Sequence, residues 1–313
     1  MIIPSTLYHS SKHLPEEKLH PAVAACPWCG CAKRRSIADL QQNPLVTLLD
    51  CPECFATSAS RMPTSEALAD YYATYYAPKK IEKMGANVTA GNPGRMGAHF
   101  SQWMEGRHQG QILRILDFGG GDGTVAVQAA DLLSRRQPSV RRIEIMVVDY
   151  NTVPISTPLP NPAICLQYHP NWESLPAGCF DFIIASAVLE HIPEAKATLD
   201  QLLSLMRPGA AFYARTPFIV PLLKLCQRFG VRMDFTFPGH VYDLGQAFWE
   251  NHFSRHEGKR FRVLSSRPSI VESAFHDAFF RTAAAHLCKF PWLLLGSKWR
   301  YVGGWEIVVE RLR

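Results

Sequence analysis

Seven residues, DFGGGDG (117–123), hold four glycines and two aspartates directly after the apolar run ILRIL (112–116). Glycine at that density is entropically costly in any regular element, so the backbone there must be needed bare. The pattern predicts a buried strand, a sharp turn, and a helix over 123–135. Spacing excludes two familiar phosphate loops. A Walker loop ends in Gly-Lys-Ser/Thr, whereas Gly123 is followed by Thr124. A dinucleotide fingerprint needs G-x-G-x-x-G; Gly119 and Gly121 fit, but the third glycine position falls on Thr124. The glycines instead alternate, at Gly119, Gly121 and Gly123, behind Asp117. An acid at a strand end repels pyrophosphate and attracts a cation.

Beyond the loop, apolar runs alternate with amphipathic ones. Strands are predicted over 112–118, 142–150, 163–168, 180–186, 210–216, 261–266 and 304–312. A helix over 194–206 carries Leu199, Leu202, Leu203 and Met206 on one face, and Arg-Pro-Gly (207–209) stops it. Near-continuous apolar strands separated by helices imply an α/β fold, its parallel sheet covered on both faces. Ligands of such sheets bind beyond the strands' carboxyl ends, where the glycine loop lies.

Five of the nine cysteines fall between positions 26 and 54. CPWCGC (26–31) and CPEC (51–54) are two C-x2-C knuckles with 21 residues between Cys29 and Cys51. Four thiolates delivered in pairs can surround one Zn²⁺ tetrahedrally, so Cys26, Cys29, Cys51 and Cys54 are the expected ligands. With no open position left, such a site is structural. A thioredoxin-like redox pair is the rival reading, but two pairs without a βαβ pattern favour zinc. Cys31 is the odd thiol, an alternative ligand to the preferred Cys29, and the remaining cysteines read as small buried hydrophobes of a reducing compartment. A helix follows over 62–76, whose stripe of Leu68, Tyr71, Tyr72 and Tyr75 is expected to pack in the core. The Gly/Asn/Pro-rich 84–97 reads as a flexible connection, and 98–106 as a short helix. The resulting division is a zinc-ribbon segment (1–60), a helical connector or lid (61–110) and a main domain (111–313).

A net charge of +6 selects no partner. The amino-terminal segment lacks the basic-then-apolar layout of a signal peptide, and no apolar run is long enough to span a bilayer, so a cytoplasmic location is expected. Residues 218–235 and KFPWLLL (289–295) are apolar with interspersed cations. A covering helix is the first reading of the former; the two together leave a peripheral membrane contact open.

On these motifs the chain resembles the class I S-adenosylmethionine (SAM)-dependent methyltransferases, whose first motif is an apolar strand ending in D-x-G-x-G-x-G. The resemblance implies a Rossmann-like, seven-stranded, mostly parallel sheet with helices on both faces. It further implies that Gly119, Gly121 and Gly123 wrap the amino acid part and ribose of SAM while Asp117 positions its ammonium. Asp149, ending the second strand in IMVVDY, would take both ribose hydroxyls, which suits an acceptor-only carboxylate. Tyr150 beside it and Ser186 after the fourth strand complete the expected cofactor set with Asn171 and Trp172. Asn171 stands where the family usually has an acid against the adenine, and Trp172 would flank that ring. SAVLEHI (186–192) matches the family stretch bordering the site, which brings in Glu190 and His191. His240 in FPGHVYDLG is the expected general base, with Asp243 as its orienting partner. The knuckles and tyrosine-rich helix resemble a zinc-ribbon branch common in surface-polysaccharide and specialised-metabolite pathways, although FATSAS (55–60) departs from the glycine that usually follows the second knuckle. The expected activity is O-methylation of a sugar or small metabolite. C-methylation of a nucleotide-linked sugar and RNA methylation are the alternatives, the latter disfavoured because no aromatic-interleaved basic stripe is present.

Overall fold

A computed structural model of the chain describes residues 2–3, 10–75, 92–107, 110–150, 155, 158–169, 172–256, 259–271, 273, 275–276 and 278–312. Of the sequence expectations, Asn171, the side chain of Tyr75 and most of the 84–97 connection lie outside the described residues.

The ribbon is an antiparallel meander of β1 (Arg35–Gln41), β2 (Val46–Asp50) and β3 (Thr57–Ala59). Helix α1 (Ser65–Tyr75) follows it, then α2 (Pro93–Met104). The main sheet begins with β4 (Ile112–Phe118), which runs through the glycine loop into α3 (Thr124–Arg136). Next come β5 (Arg142–Val148), β6 (Ile164–Tyr168), β7 (Phe180–Ser186), α4 (Ala195–Leu205) and β8 (Met206–Phe218). The chain closes with α5 (Val220–Arg228), the two-residue β9 (Tyr242–Asp243), α6 (Gln246–Asn251), β10 (Phe261–Pro268), α7 (Phe279–Leu295) and β11 (Gly303–Arg311).

Seven strands lie in the order β10-β11-β8-β7-β4-β5-β6. β4 to β8 pair in parallel, and β11 is antiparallel to both its neighbours. The order reverses at β4, so the switch point lies at the glycine loop. Both faces are buried, as the continuous apolar strands require. Phe182 and Ile184 join the core beneath α2 and α3, and Ile183 and Ala185 join the core shared with α4 and the ribbon. Cys26, Trp28 and Leu48 belong to that same cluster, so the ribbon packs onto the sheet rather than hanging from it.

Two local expectations are corrected. Residues 93–97 are helical: Pro93 occupies the first helical turn, Asn92 caps it by accepting from Arg95 N at 3.0 Å, and Gly97 lets α2 cross α3. A Cβ on Gly97 would stand 2.7 Å from Gln128 Cβ. Arg-Pro-Gly (207–209) does not separate a helix from a later strand; it lies inside β8, in a register shift opposite β7. A bulge needs no ladder hydrogen bond from proline, which is how the strand keeps it.

The ribbon continues into the main chain through hydrogen bonds. β9 pairs with β3, Tyr242 opposite Ser58 and Asp243 opposite Thr57, and Ala59 N donates to Val241 O at 2.9 Å. Trp28 packs edge-on against Phe248 and Tyr242 across this seam. Arg34 ties the first knuckle to the sheet, donating to Leu49 O and Ser58 O.

Candidate functional site

The four knuckle sulfurs converge. Cys26 Sγ lies 3.5 Å from Cys54 Sγ, Cys29 Sγ lies 3.5 Å from Cys51 Sγ, and all four fall within 4.8 Å of one another. A tetrahedral Zn–S length of about 2.3 Å gives edges of about 3.8 Å, inside that range. The Cys54 thiol beside Cys26 pulls the Cys26 thiol down, against the opposing effect of burial. Each knuckle closes on a left-handed residue: Gly30 (φ 76°) after the first and Phe55 (φ 63°) after the second. Phe55 occupies the position where a glycine was missing from the sequence pattern, and it adopts the glycine conformation.

The tips of β4, β5, β7 and β8 open into a cavity of about 790 Å³, bordered also by α1, α5 and α7. Gly119, Asp149, Tyr150, Trp172, Ser186, His191 and His240 line it. Asp117, Gly121 and Gly123 stand behind the wall. Gly119 (φ 74°) and Gly123 (φ 81°) are left-handed and tightly enclosed: a Cβ would lie 2.6 Å from Val188 in the first case and 2.8 Å from Val147 in the second. The alternating glycines thus fit the loop to its protein neighbours as well as baring its backbone. Gly120, absent from the expected set, is equally constrained, since its Cβ would meet the Asp117 carboxyl at 2.3 Å.

Asp149 fastens the loop: Gly121 N donates to its Oδ2 at 2.8 Å. Asp117 is buried, and burial together with the charges of Asp149 and Asp122 pushes it up to about 7. Trp172 packs edge-on to Phe118 at 4.7 Å, while the exposed Tyr150 lies 5.7 Å from the Tyr72 ring.

The two histidines meet across this cavity, their ring centroids 4.8 Å apart. His191 follows β7 in a short 3₁₀ turn, and its Nδ1 lies 2.5 Å from Gly239 O, to which it donates. Burial pulls His191 down to about 4 despite the Gly239 and Ala187 carbonyls, so the ring is neutral at pH 7. His240 Nδ1 lies 2.8 Å from Thr236 Oγ1. The Thr236 hydroxyl donates to Phe235 O at 2.5 Å, so its oxygen accepts the His240 Nδ1–H. That assignment leaves the His240 Nε2 lone pair as the basic atom. Glu190, His191 and His240 bring one donor atom each within 4.8 Å, close enough to pass a proton or to hold a cation together.

Asp243 does not orient His240. Its Oδ2 accepts from Ile219 N at 2.6 Å and Val220 N at 3.1 Å, capping α5, and burial pushes it up to about 7. Thr236, four residues before the histidine, takes the orienting place. The tyrosine stripe divides: Tyr71 packs inward, donating to Ser10 O at 3.1 Å, while Leu68 and Tyr72 face the cavity. Sequence reasoning also missed Arg281, Ala285, Cys288 and Lys289 of α7 on the cavity wall. Their spacing of four, three and one is that of a single helical face, the signal that would have found them.

A family model described as a methyltransferase domain matches residues 68–270. Methyltransferase str2 of Strobilurus tenacellus is 34% identical over 102 residues, or 32% of this chain and 34% of the relative, so the match spans about a third of that protein's length. Among solved structures, Haemonchus contortus phosphoethanolamine N-methyltransferase 2 in complex with SAM gives a TM-score of 0.48 at 14% identity, covering 82% of this chain and 62% of that one. Burkholderia thailandensis 1,6-didemethyltoxoflavin-N1-methyltransferase gives 0.46 at 13% identity, covering 90% and 96%.

Proposed function

From the premise that the chain belongs to the class I SAM-dependent methyltransferase family, we propose that it methylates a hydroxyl of a sugar or other small metabolite. SAM, when bound, supplies a methyl group made electrophilic by its sulfonium. The chain's own residues hold and align the partners. Asp149 accepts the ribose hydroxyls, Trp172 flanks the adenine beside Asn171, and Tyr150 and Ser186 border the nucleoside. Gly119 faces the amino acid end at the cavity wall, with Gly121 and Gly123 shaping the loop behind it and the buried Asp117 carboxyl acting on the ammonium through its charge. Alignment of the acceptor oxygen with the methyl group supplies much of the rate, roughly 7–11 kcal/mol in well-aligned cases. His240 Nε2 takes the hydroxyl proton, and His191, neutral beside it, holds the acceptor. The four-thiolate cluster carries a structural Zn²⁺, which leaves no coordination position for substrate.

The observation that carries this reading is the convergence of Gly119, Asp149, Trp172 and an oriented imidazole on one cavity at the strand tips. Calorimetry tests it. Asp149→Ala should weaken SAM binding about ten- to a hundredfold, the loss of hydrogen bonds to a charged acceptor; unchanged affinity removes Asp149 from the site.

A further inference from the structure

Helix α7 is apolar where a helix facing water is expected to be charged. Phe280 is 87% exposed, Leu287 71% and Leu294 77%, with Phe290 and Leu293 also outside. Only Thr282 of its 17 residues is buried. The helix is nevertheless firmly seated. Trp292 packs edge-on against Trp305, Trp299 Nε1 donates to Cys288 O at 2.7 Å, and Lys289 Nζ donates to Ser269. Its inner face, from Arg281 to Lys289, walls the cavity, and among the described residues none covers the bulky side chains of the outer face. An exposed patch of this kind marks an interaction surface.

Charge identifies the occupant. Between residues 278 and 305 there is no Asp or Glu, while the exposed Lys298 and Arg300 just past the helix supply cations. The same holds at α5, the other late helix on the cavity. No acid occurs from 218 to 233, Lys224 and Arg228 are exposed, and Phe229 beside them is 75% exposed. A second copy meeting this face about a two-fold axis would set like charges together. An anionic lipid surface matches both the greasy face and its cationic flanks. The helix is about 25 Å long, and no described helix is long and apolar enough to cross a membrane, so it can lie on a bilayer but not span it.

We propose that α7 docks the chain on anionic phospholipid bilayers, its outer face in the headgroup–acyl boundary and its inner face roofing the cavity. The acceptor then enters from the lipid phase, and its class is a membrane-resident or lipid-linked hydroxyl compound. Docking stands on the helix alone; the delivery of an acceptor rests on the methyl-transfer reading.

Sedimentation of the full chain with vesicles tests the docking. Phosphatidylcholine vesicles containing phosphatidylglycerol should bind the protein, less tightly as salt rises, and pure phosphatidylcholine should bind it more weakly. Leu287→Glu and Leu294→Glu should each weaken binding about tenfold or more, and Lys298→Glu with Arg300→Glu should abolish the preference for anionic vesicles. Calorimetric SAM affinity should stay unchanged in these variants, which separates a failure of docking from a failure of the methyl-transfer site. Three results would overturn the proposal: no binding of the wild type to either vesicle, binding indifferent to Leu287→Glu and Leu294→Glu, or a concentration-dependent dimer that those substitutions dissolve.

Discussion

The knuckle cluster and the strand-tip cavity both turn the backbone through left-handed residues, yet they do opposite things with the space they make. At the knuckles four sulfurs face one another within 4.8 Å, around space for a single ion. At the strand tips the polar groups face about 790 Å³ of shared space and leave room for reactants. One arrangement is closed; the other is open and has room for a ligand. The two are joined by the pairing of β3 with β9, which fixes the backbone immediately after His240. The contrast makes the strand edge the route by which the ribbon can bear on the open site.

The sharpest way to break that contrast is His240→Asn. If the open site holds the base, kcat should fall about 10²–10⁴-fold with SAM affinity unchanged in calorimetry; a fall under tenfold would move the base elsewhere. If the closed site holds the proposed zinc, removing it is expected to act next most strongly. Because a misplacement near 1 Å can cost about a hundredfold, chelation or Cys51→Ser with Cys54→Ser should lower kcat by about that factor, alongside a loss of about one zinc per chain by metal analysis. Full activity in the metal-free protein would show the two regions to be independent.

A proton count sharpens the comparison further. Asp117 is pushed up to about 7 by burial and by the charges of Asp149 and Asp122. A cationic ammonium bound at the loop favours the carboxylate and lowers that value, so binding releases protons, at most about half a proton at pH 7, and tightens as pH rises through 7. Calorimetry in buffers of different ionisation enthalpy should read this release, and Asp117→Asn should remove it. The smallest effect belongs to the closed site. Phe55 holds a left-handed conformation that costs a side-chain-bearing residue about 1–2 kcal/mol, so Phe55→Gly should stabilise the protein by about 1 kcal/mol in denaturant unfolding, with kcat unchanged.

Local signals carried far in this chain. The strands formed where apolar runs ended at turn residues, with ends shifted by a residue or two, apart from β8. The knuckle spacing named the four converging cysteines, and the D-x-G-x-G-x-G run named the loop at the switch point. The failures were of two kinds. At Pro93 and Gly97 the composition was legible but its meaning depended on a neighbour, since a glycine against α3 is packing and not flexibility. At Thr236, Tyr72 and α7 the relevant partner lies far along the chain, and no window of sequence displays it. Asp243 illustrates the same limit, because its spacing from His240 suggested a pair while the fold assigned it to the start of α5.

The two-residue length of β9 has a practical consequence for anyone trimming the chain to its larger sheet. Deleting the first sixty positions would strip Tyr242 and Asp243 of their ladder and uncover the aromatic bed under Trp28. A truncated product of that design should clump during expression, because raw strand edges recruit one another. A viable minimal enzyme would have to keep the cysteine hairpins or replace that edge with an engineered one.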